Sequence, residues 1–262
     1  MTSPRKTRLL AALAAPTPSI IFNKWRDSGE LAQVIPPLYR CINVEQNYHH
    51  AEDVYTHCIA ACDFLPVHLT KLRLAALLHD IGKPDTQQVQ EGGRITFFNH
   101  EIIGARIAYK YLIDIGFSQK YAANISLLVR HHMFFFREDS KPKALRRWLR
   151  KTNHIVEELF ILRMADRAGN SSKIHKPLVT PAMLRLWNRI QDIRLQGLQP
   201  PPSQQHYNLA ISGHDIIQRG YEEGPEIGRL LQDLCSKVKE GLLPNNRKAL
   251  LKAIPNPGKQ EP

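Results

Sequence analysis

The chain has 262 residues, 43% hydrophobic and 23% charged, a composition that suits a soluble globular protein with a sizeable core. No apolar run approaches the roughly 20 residues that span a bilayer, and the longest candidate, Leu9 to Ala15, lacks a signal-peptide context, so a cytoplasmic location without a membrane partner is expected. Thirty-six Lys and Arg against 24 Asp and Glu give a net charge of +12, which favours polyanionic partners, nucleic acid before anionic membrane. Cys41, Cys58, Cys62 and Cys235 form no CxxC pair, so buried free thiols are expected rather than a disulfide framework or a Cys-based zinc site.

Residues 1–8 are polar and basic (Arg5, Lys6, Arg8) and are expected to fray. Leu9 to Ala15 reads as a short helix stopped by Pro16 and Pro18. Ser19 to Val34 reads as a second helical stretch with Ile20, Ile21, Trp25 and Leu31 as its apolar positions, weakened at Gly29. Pro36-Pro37 turns the chain into Leu38–Val44. From Ala51 to Phe64 the period is helical, with His50, Val54, His57 and Ala61 on one face. Thr70 to His79 is the next helix, and Gly82-Lys83-Pro84 breaks it. Residues 85–98 form a polar loop with a candidate hairpin, Gln87–Val89 against Ile95–Phe97. His100 to Ile115 is amphipathic, with Ile103, Ile107, Tyr111 and Leu112 inward, and Gly116 closes it. Ser118 is placed to cap a helix running through Ile125, Leu128 and Val129 to His131-His132.

Lys141 to Lys151 is the sharpest basic run. Leu145, Trp148 and Leu149 make its apolar stripe, leaving Arg146, Arg147, Arg150 and Lys151 exposed, with Lys141 and Lys143 ahead of them. A helix from Ile155 to Asp166 follows, then a loop over 171–177, a helix over Pro181–Gln196 and a Pro-rich linker around Pro200-Pro201-Pro202. Ala210 to Ile254 reads as a compact final module, and the tail after Pro255 as disordered. Strand signals are almost absent, so the expected fold class is all-α. The expected divisions are a helical N-terminal segment (1–44), a metal-binding domain (45–170), a helix and linker (171–205), a C-terminal helical module (206–254) and a tail (255–262).

The chemistry gathers on His57, His79, Asp80, His100, His131 (with His132 beside it) and Asp166, each at a helix end or on an apolar helix face. Buried imidazoles and carboxylates are costly unless paired or bound to a metal. A mixed nitrogen and oxygen set suits Mn, Fe, Co, Ni, Zn or Mg without choosing among them.

The order His57, then His79-Asp80, then Asp166 resembles the HD phosphohydrolase superfamily. That resemblance implies that these four side chains bind a divalent metal ion. Members with extra histidines between the pair and the last Asp bind a second ion, and His100 and His131 stand where those are expected. Asp80 would then bridge the ions. Two such ions clamp a phosphoryl group, activate water and stabilise the leaving oxygen. Lys83 is read either as a contact to the scissile phosphate or as a solvated turn lysine. His132 is a neighbouring partner or an alternative to His131, His50 a pocket residue, and Glu101 an orienting residue.

The likeness extends further. His50-Ala-Glu-Asp-Val-Tyr-Thr-His57, Leu77-Leu-His-Asp-Ile-Gly-Lys-Pro84, Phe98-Asn-His-Glu101, Val129-Arg-His-His132 and Arg163-Met-Ala-Asp166 run in one order. With Ile211-Ser-Gly-His-Asp215 and Gly224-Pro-Glu-Ile-Gly228, they are similar to the HD and C-terminal body of bacterial tRNA nucleotidyltransferases, the CCA-adding enzymes and poly(A) polymerase relatives. The similarity covers about residues 19–254. That family's nucleotide-adding head begins with a Gly-Ser motif followed by a carboxylate pair, which has no match here. The expectation is therefore a metal-dependent hydrolase of 2′,3′-cyclic, 2′ or terminal phosphoesters on RNA ends or nucleotides, without nucleotide addition. Two alternatives accompany it. One is a tRNA or structured-RNA binding module with a structural metal, using Lys141, Lys143, Arg146, Arg147, Arg150 and Lys151. The other is an HD hydrolase of a 5′-deoxynucleotide, a cyclic dinucleotide or an alarmone.

Overall fold

Pro4 starts the first helix, so the basic N-terminal stretch is ordered where fraying is expected. In the computed structural model, which describes residues 3–46, 52–170, 175–197 and 209–255, α1 (Pro4–Leu13) buries Leu9, Ala12 and Leu13. Its three cations are all engaged: Arg5 donates to the Val34 carbonyl at 3.4 Å, Lys6 Nζ donates to the Gly116 carbonyl at 2.9 Å, and Arg8 pairs with Glu30 and lies over the Trp25 ring. A helix beginning with Pro needs no donor at its first position, which places the start at Pro4.

The second stretch divides where Gly29 (φ +75°) supplies a left-handed residue. α2 (Pro18–Asp27) and α3 (Leu31–Val34) flank the break. Phe22 and Trp25 are buried in α2, whereas Ile20 faces solvent, so the apolar stripe is rotated from the one the sequence suggests. After α4 (Pro36–Tyr39), Asp53 caps α5 (Val54–Phe64), its carboxylate accepting from Thr56 N at 2.8 Å and from Asn43 N at 2.7 Å. α6 (Thr70–Leu78) is buried over seven of its nine residues.

Arg73 in α6 is buried with no carboxylate partner among the described residues. Its guanidinium instead donates to the carbonyls of Leu65 (2.7 Å), Leu13 (2.8 Å), Ala15 (2.6 Å) and Pro16 (3.2 Å). It fixes the α1–α2 corner onto α6.

The polar loop forms a short antiparallel ribbon, β1 (Gln88–Val89) and β2 (Ile95–Thr96), with Gln88 opposite Thr96 and Val89 opposite Ile95. It is the only sheet among the described residues, and the fold class is all-α. α7 (His100–Asp114) and α8 (Gln119–His131) pack as an antiparallel pair joined at Gly116 (φ +92°), with the Ser118 side chain capping α8 at Tyr121 N. α9 (Pro142–Thr152), α10 (Val156–Ala168) and α11 (Pro181–Gln196) complete this unit, residues 1–198. Its core lies among α5, α6, α8 and α10, with α2 against α5.

A second unit spans residues 199–262. α12 (Gly213–Ile217) opens with a capping box, in which Ser212 and Asp215 satisfy each other's backbone donors. α13 (Pro225–Lys239) and α14 (Arg247–Lys252) close over Ile211, Ile216, Leu234 and Leu250. Arg247 pairs with Asp215 at 2.8 Å. No helix among the described residues is long and apolar enough to cross a membrane.

Candidate metal centre

Five elements deliver side chains to one buried point. His57 sits in the first turn of α5, on the face it shares with Val54, Cys58 and Ala61. His79 is the C-cap of α6 and Asp80 follows it. His100 is the first residue of α7, reached through Asn99 in the left-handed region (φ +65°). His132 is the C-cap of α8, and Asp166 lies in the last turn of α10.

The centre has two halves joined by Asp80. On one side, His57 Nε2 lies 3.1 Å from His79 Nε2, 3.2 Å from Asp166 Oδ1 and 3.6 Å from Asp80 Oδ2. His79 Nε2 is 3.2 Å from Asp80 Oδ2. On the other side, Asp80 Oδ1 is 3.3 Å from His100 Nε2 and 3.5 Å from His132 Nε2, and those two nitrogens are 3.3 Å apart. His79, Asp80 and His132 also approach one another within 4.8 Å, so the halves are contiguous. Asp80 is 2% exposed, whereas the Asp166 side chain, 21% exposed, marks the opening to solvent.

Three imidazoles are oriented by the same local device. His79 Nδ1 donates to the Ala76 carbonyl at 2.7 Å, His100 Nδ1 to Phe97 at 2.8 Å, and His132 Nδ1 to Val129 at 2.7 Å. Each bond reaches back three residues. A carbonyl can only accept, so each Nδ1 carries the hydrogen and each Nε2 is free to present a lone pair to the centre. Nitrogens facing one another at 3.1 and 3.3 Å need a shared proton or a cation between them. Ligand bonds of about 2.0–2.2 Å place neighbouring ligands on one ion roughly 3.0–3.5 Å apart, and the observed separations fall at or close to that range. The donor set therefore fits divalent metal.

The electrostatics agree. Burial weighs against a charged imidazole at His79, but the Asp80 carboxylate beside it outweighs this and lifts its pKa well above the usual value. Burial would also raise Asp80, yet the neighbouring His79 and Lys83 charges, with the His100 and His132 imidazoles beside it, hold it well below the usual carboxylate range. Asp166 is likewise held low against its burial, by the His57 hydrogen bond and the nearby imidazoles. Burial lowers His132.

Lys83 is not a solvated turn lysine. It is buried, with Nζ 2.5 Å from Asp80 Oδ2 and 2.6 Å from Gln46 Oε1, above the Phe97 ring. Gln46, unsuspected from the sequence, is thus the residue that holds this ammonium at the centre. Glu101 is not among the converging ligands: one carboxylate oxygen pairs with Arg130 at 3.2 Å and the other lies 3.9 Å from His100 Nδ1. His50 lies outside the described residues.

Two expectations need correction. His132, not His131, enters the cluster; His131 is half-buried and turns to the Trp148 ring, 6.5 Å between centroids. The helical stripe Ile125, Leu128, Val129 continues at a seven-residue offset to position 132, a signal present in the sequence. Arg146 is buried rather than exposed: its guanidinium donates to the Gly197 carbonyl and to Gln196 Oε1 at 2.9 Å, closing the end of α11. Lys141, Lys143, Arg147, Arg150 and Lys151 remain exposed on α9.

Two glycine contacts set the centre's dimensions. A Cβ on Gly82 would lie 2.1 Å from the His100 carbonyl oxygen and 2.5 Å from Gly104 N, so the turn after Asp80 rests directly on the first turn of α7. A Cβ on Gly169 would lie 2.8 Å from both the His57 carbonyl oxygen and Ala61 N, which brings α10, and Asp166 with it, against α5.

The helices that carry this paired His/Asp cluster lie in an HD domain. Residues 47–170 match the HD domain, and residues 189–254 match the tRNA nucleotidyltransferase domain 2. Over these regions the chain is homologous to tRNA nucleotidyltransferases. It is 28% identical over 242 residues to the CC-adding tRNA nucleotidyltransferase of Thermus thermophilus, covering 90% of this chain and 52% of that protein. It is 27% identical over 220 residues to the A-adding tRNA nucleotidyltransferase of Deinococcus radiodurans, covering 79% and 47%. A bifunctional uridylyltransferase/uridylyl-removing enzyme of Vibrio vulnificus is 27% identical over 171 residues, covering 62% and 18%. The chain thus spans about half the length of the tRNA nucleotidyltransferases it matches.

Proposed function

We propose that this protein is a metal-dependent phosphohydrolase that cleaves phosphoesters at RNA ends or on nucleotides, of the 2′,3′-cyclic, 2′ or terminal monoester type, and that it does not itself add nucleotides. The observation that carries this reading is Asp80, whose two oxygens each face a separate set of imidazoles. A carboxylate serving both halves suits a pair of ions, with His57, His79, Asp80 and Asp166 holding one and Asp80, His100 and His132 the other. Divalent ions there would supply Lewis-acid polarisation of the phosphoryl group and a nucleophile from water. The protein's own part is orientation and charge. The Nδ1 bonds to Ala76, Phe97 and Val129 fix three imidazole planes before any ligand arrives. Lys83 Nζ, held by Gln46, provides a cation for the phosphoryl oxygens. In the overall reaction a water oxygen forms the new bond to phosphorus, the ester P–O bond breaks, and the proton goes to the leaving oxygen.

The uridylyl-removing activity in the name of the Vibrio vulnificus relative belongs to the same reaction class, which supports the hydrolytic reading. The tRNA in the names of the other relatives, together with the net charge of +12, supports an RNA or nucleotide substrate. A second reading rests on α9, whose exposed Lys141, Lys143, Arg147, Arg150 and Lys151 form a basic face that suits tRNA or another structured RNA. Both can hold in one protein.

The test is ester turnover by the purified chain, offered 2′,3′-cyclic AMP, 2′-AMP, 3′-AMP and 5′-dAMP with Mn, Ni, Co or Mg, beside Asp80→Ala. Hydrolysis of the cyclic or 2′ ester that disappears in Asp80→Ala is the expected result. Preference for 5′-dAMP would move the protein to the nucleotide-pool hydrolases. Absence of turnover with every ester and metal would overturn the hydrolase reading.

A further inference from the structure

The His131-His132 pair looks two ways. His132 enters the metal centre, while its neighbour helps to line a separate cleft of about 170 Å³, together with Glu101, Arg130, Met133, Phe135 and Trp148. From this arrangement we infer that the cleft is a nucleobase subsite, and that the substrate whose phosphoester reaches the metal centre carries its base there. The inference rests on the phosphoester reading of that centre and adds the substrate's recognition element.

Position is the first argument. Glu101 and His131 are immediate chain neighbours of His100 and His132, and consecutive Cα atoms are about 3.8 Å apart. The Glu101 carboxylate also lies 3.9 Å from His100 Nδ1, so the cleft adjoins the centre. Lining is the second. The Phe135 ring is 72% exposed and Met133 52% exposed, an unusual cost for two large apolar side chains beside a polar centre. Behind them, Trp148 closes the cleft against His131 and Phe134. An exposed aromatic ring next to a backed aromatic wall is the arrangement on which bases stack. Polarity is the third. Glu101 and Arg130, paired at 3.2 Å, present an acceptor and a donor at the rim, which a flat hydrocarbon would not need and a base edge can use. The cleft's volume of about 170 Å³ gives room for a single ring system. Arg163 anchors the segment that carries these rings, donating to the carbonyls of His132 (3.4 Å) and Phe134 (3.2 Å), so the cleft and the ligand His132 share one support.

The experiment uses the full chain and adenosine, which has a base but no ester to turn over. Saturation-transfer NMR reads contact with the adenine protons, and a titration gives the affinity, with ribose as the base-free control. Adenosine is expected to bind, ribose not to bind, Phe135→Ala to weaken adenosine by fivefold or more, and Phe135→Tyr to restore it. Because Phe135 is exposed, its variants should fold, which circular dichroism checks. Adenosine that fails to bind at millimolar concentration, or that binds wild type and Phe135→Ala equally, overturns the subsite. Hydrolysis of bis(4-nitrophenyl) phosphate, an ester without a base, is followed separately. No turnover of it, with adenosine binding still sensitive to Phe135, would count against the hydrolase reading and for the subsite. Turnover with insensitive adenosine binding would do the reverse.

Discussion

Replacing Gly82 by Ala should divide the metal centre in two. Gly82 has ordinary right-handed dihedrals (φ −84°, ψ −11°), so Ala meets no backbone strain there and the effect is purely one of contact. The added Cβ would stand 2.1 Å from the His100 carbonyl oxygen and 2.5 Å from Gly104 N, backbone atoms of the start of α7. Relief to ordinary contact needs a displacement of about 1 Å or more, either of the Asp80 turn or of the first turn of α7. Ligand distances in a working site tolerate about 0.2 Å. His100, now 3.3 Å from Asp80 Oδ1, would be carried out of range, while His57, His79 and Asp166 keep their mutual geometry. The expected outcome is one ion lost or weakened at least tenfold, the magnitude seen when a ligand's support is disturbed, with the other retained. Overpacking of this kind costs about 1–3 kcal/mol, and in a unit of this size each kcal/mol moves Tm by about 2–4 °C. Isothermal titration with Mn, metal analysis of the dialysed protein and thermal melts read all three quantities. Gly228 in α13, with open space around its Cβ position, is the control, and Ala there should be neutral or stabilising. Two ions bound as in wild type by Gly82→Ala, with an unchanged Tm, would refute the role given to this contact. Gly169→Ala should do the converse, loosening Asp166 from His57 and weakening the other ion.

The two adjacent histidines make a direct comparison: His132→Ala should lower metal stoichiometry, and His131→Ala should leave it at the wild-type value. Equal losses in both would remove the distinction drawn between them. Arg73→Met leaves four carbonyls without their donor, at about 1–3 kcal/mol for each buried group left unsatisfied, so a loss of at least about 3 kcal/mol is expected from urea midpoints, and Arg73→Lys should recover part of it; a midpoint equal to wild type would show that water replaces the guanidinium. The metal-free cluster also sets a pH window. His79, raised in the folded state, contributes stability below its unfolded pKa of about 6.5 and loses it as pH rises through the folded value. Asp80 and Asp166, depressed, contribute above about 3.9 and lose it as pH falls through their folded values. The cluster's own contribution therefore peaks at about pH 4–6.5 without metal, and metal binding must release the His79 proton. Titrations at neutral pH in buffers of different ionisation enthalpy should detect that release, and its absence would place the proton elsewhere.

Much of the helical order is legible in the residues because single side chains decide it. Asp53, Ser118 and Thr180 each accept the backbone donor three residues on, and helices begin where they stand. The ribbon around Gly92-Gly93 follows from turn chemistry. What escaped is what depends on a partner far away in the chain. The basic N-terminus reads as a frayed arm until Lys6 finds Gly116 and Arg8 finds Glu30. Arg146 reads as a surface cation until the end of α11 arrives to accept its donors. Ile20 reads as core until the break at Gly29 fixes which face of α2 turns inward.

The centre shows the same divide at higher stakes. Residue types name its chemistry, since His and Asp together bring nitrogen and oxygen ligands to a buried point. Periodicity even chooses between His131 and His132, once the stripe through Ile125 and Val129 is followed one turn further. The convergence itself is not a property of any ligand. It is set by Gly82 against His100 and by Gly169 against His57, two places where backbones approach more closely than a Cβ allows. A glycine in a sequence looks the same whether it frees a turn or admits a neighbouring helix. The spacing of the ligands is therefore written in residues that bind nothing, and only the packed structure tells which ones they are.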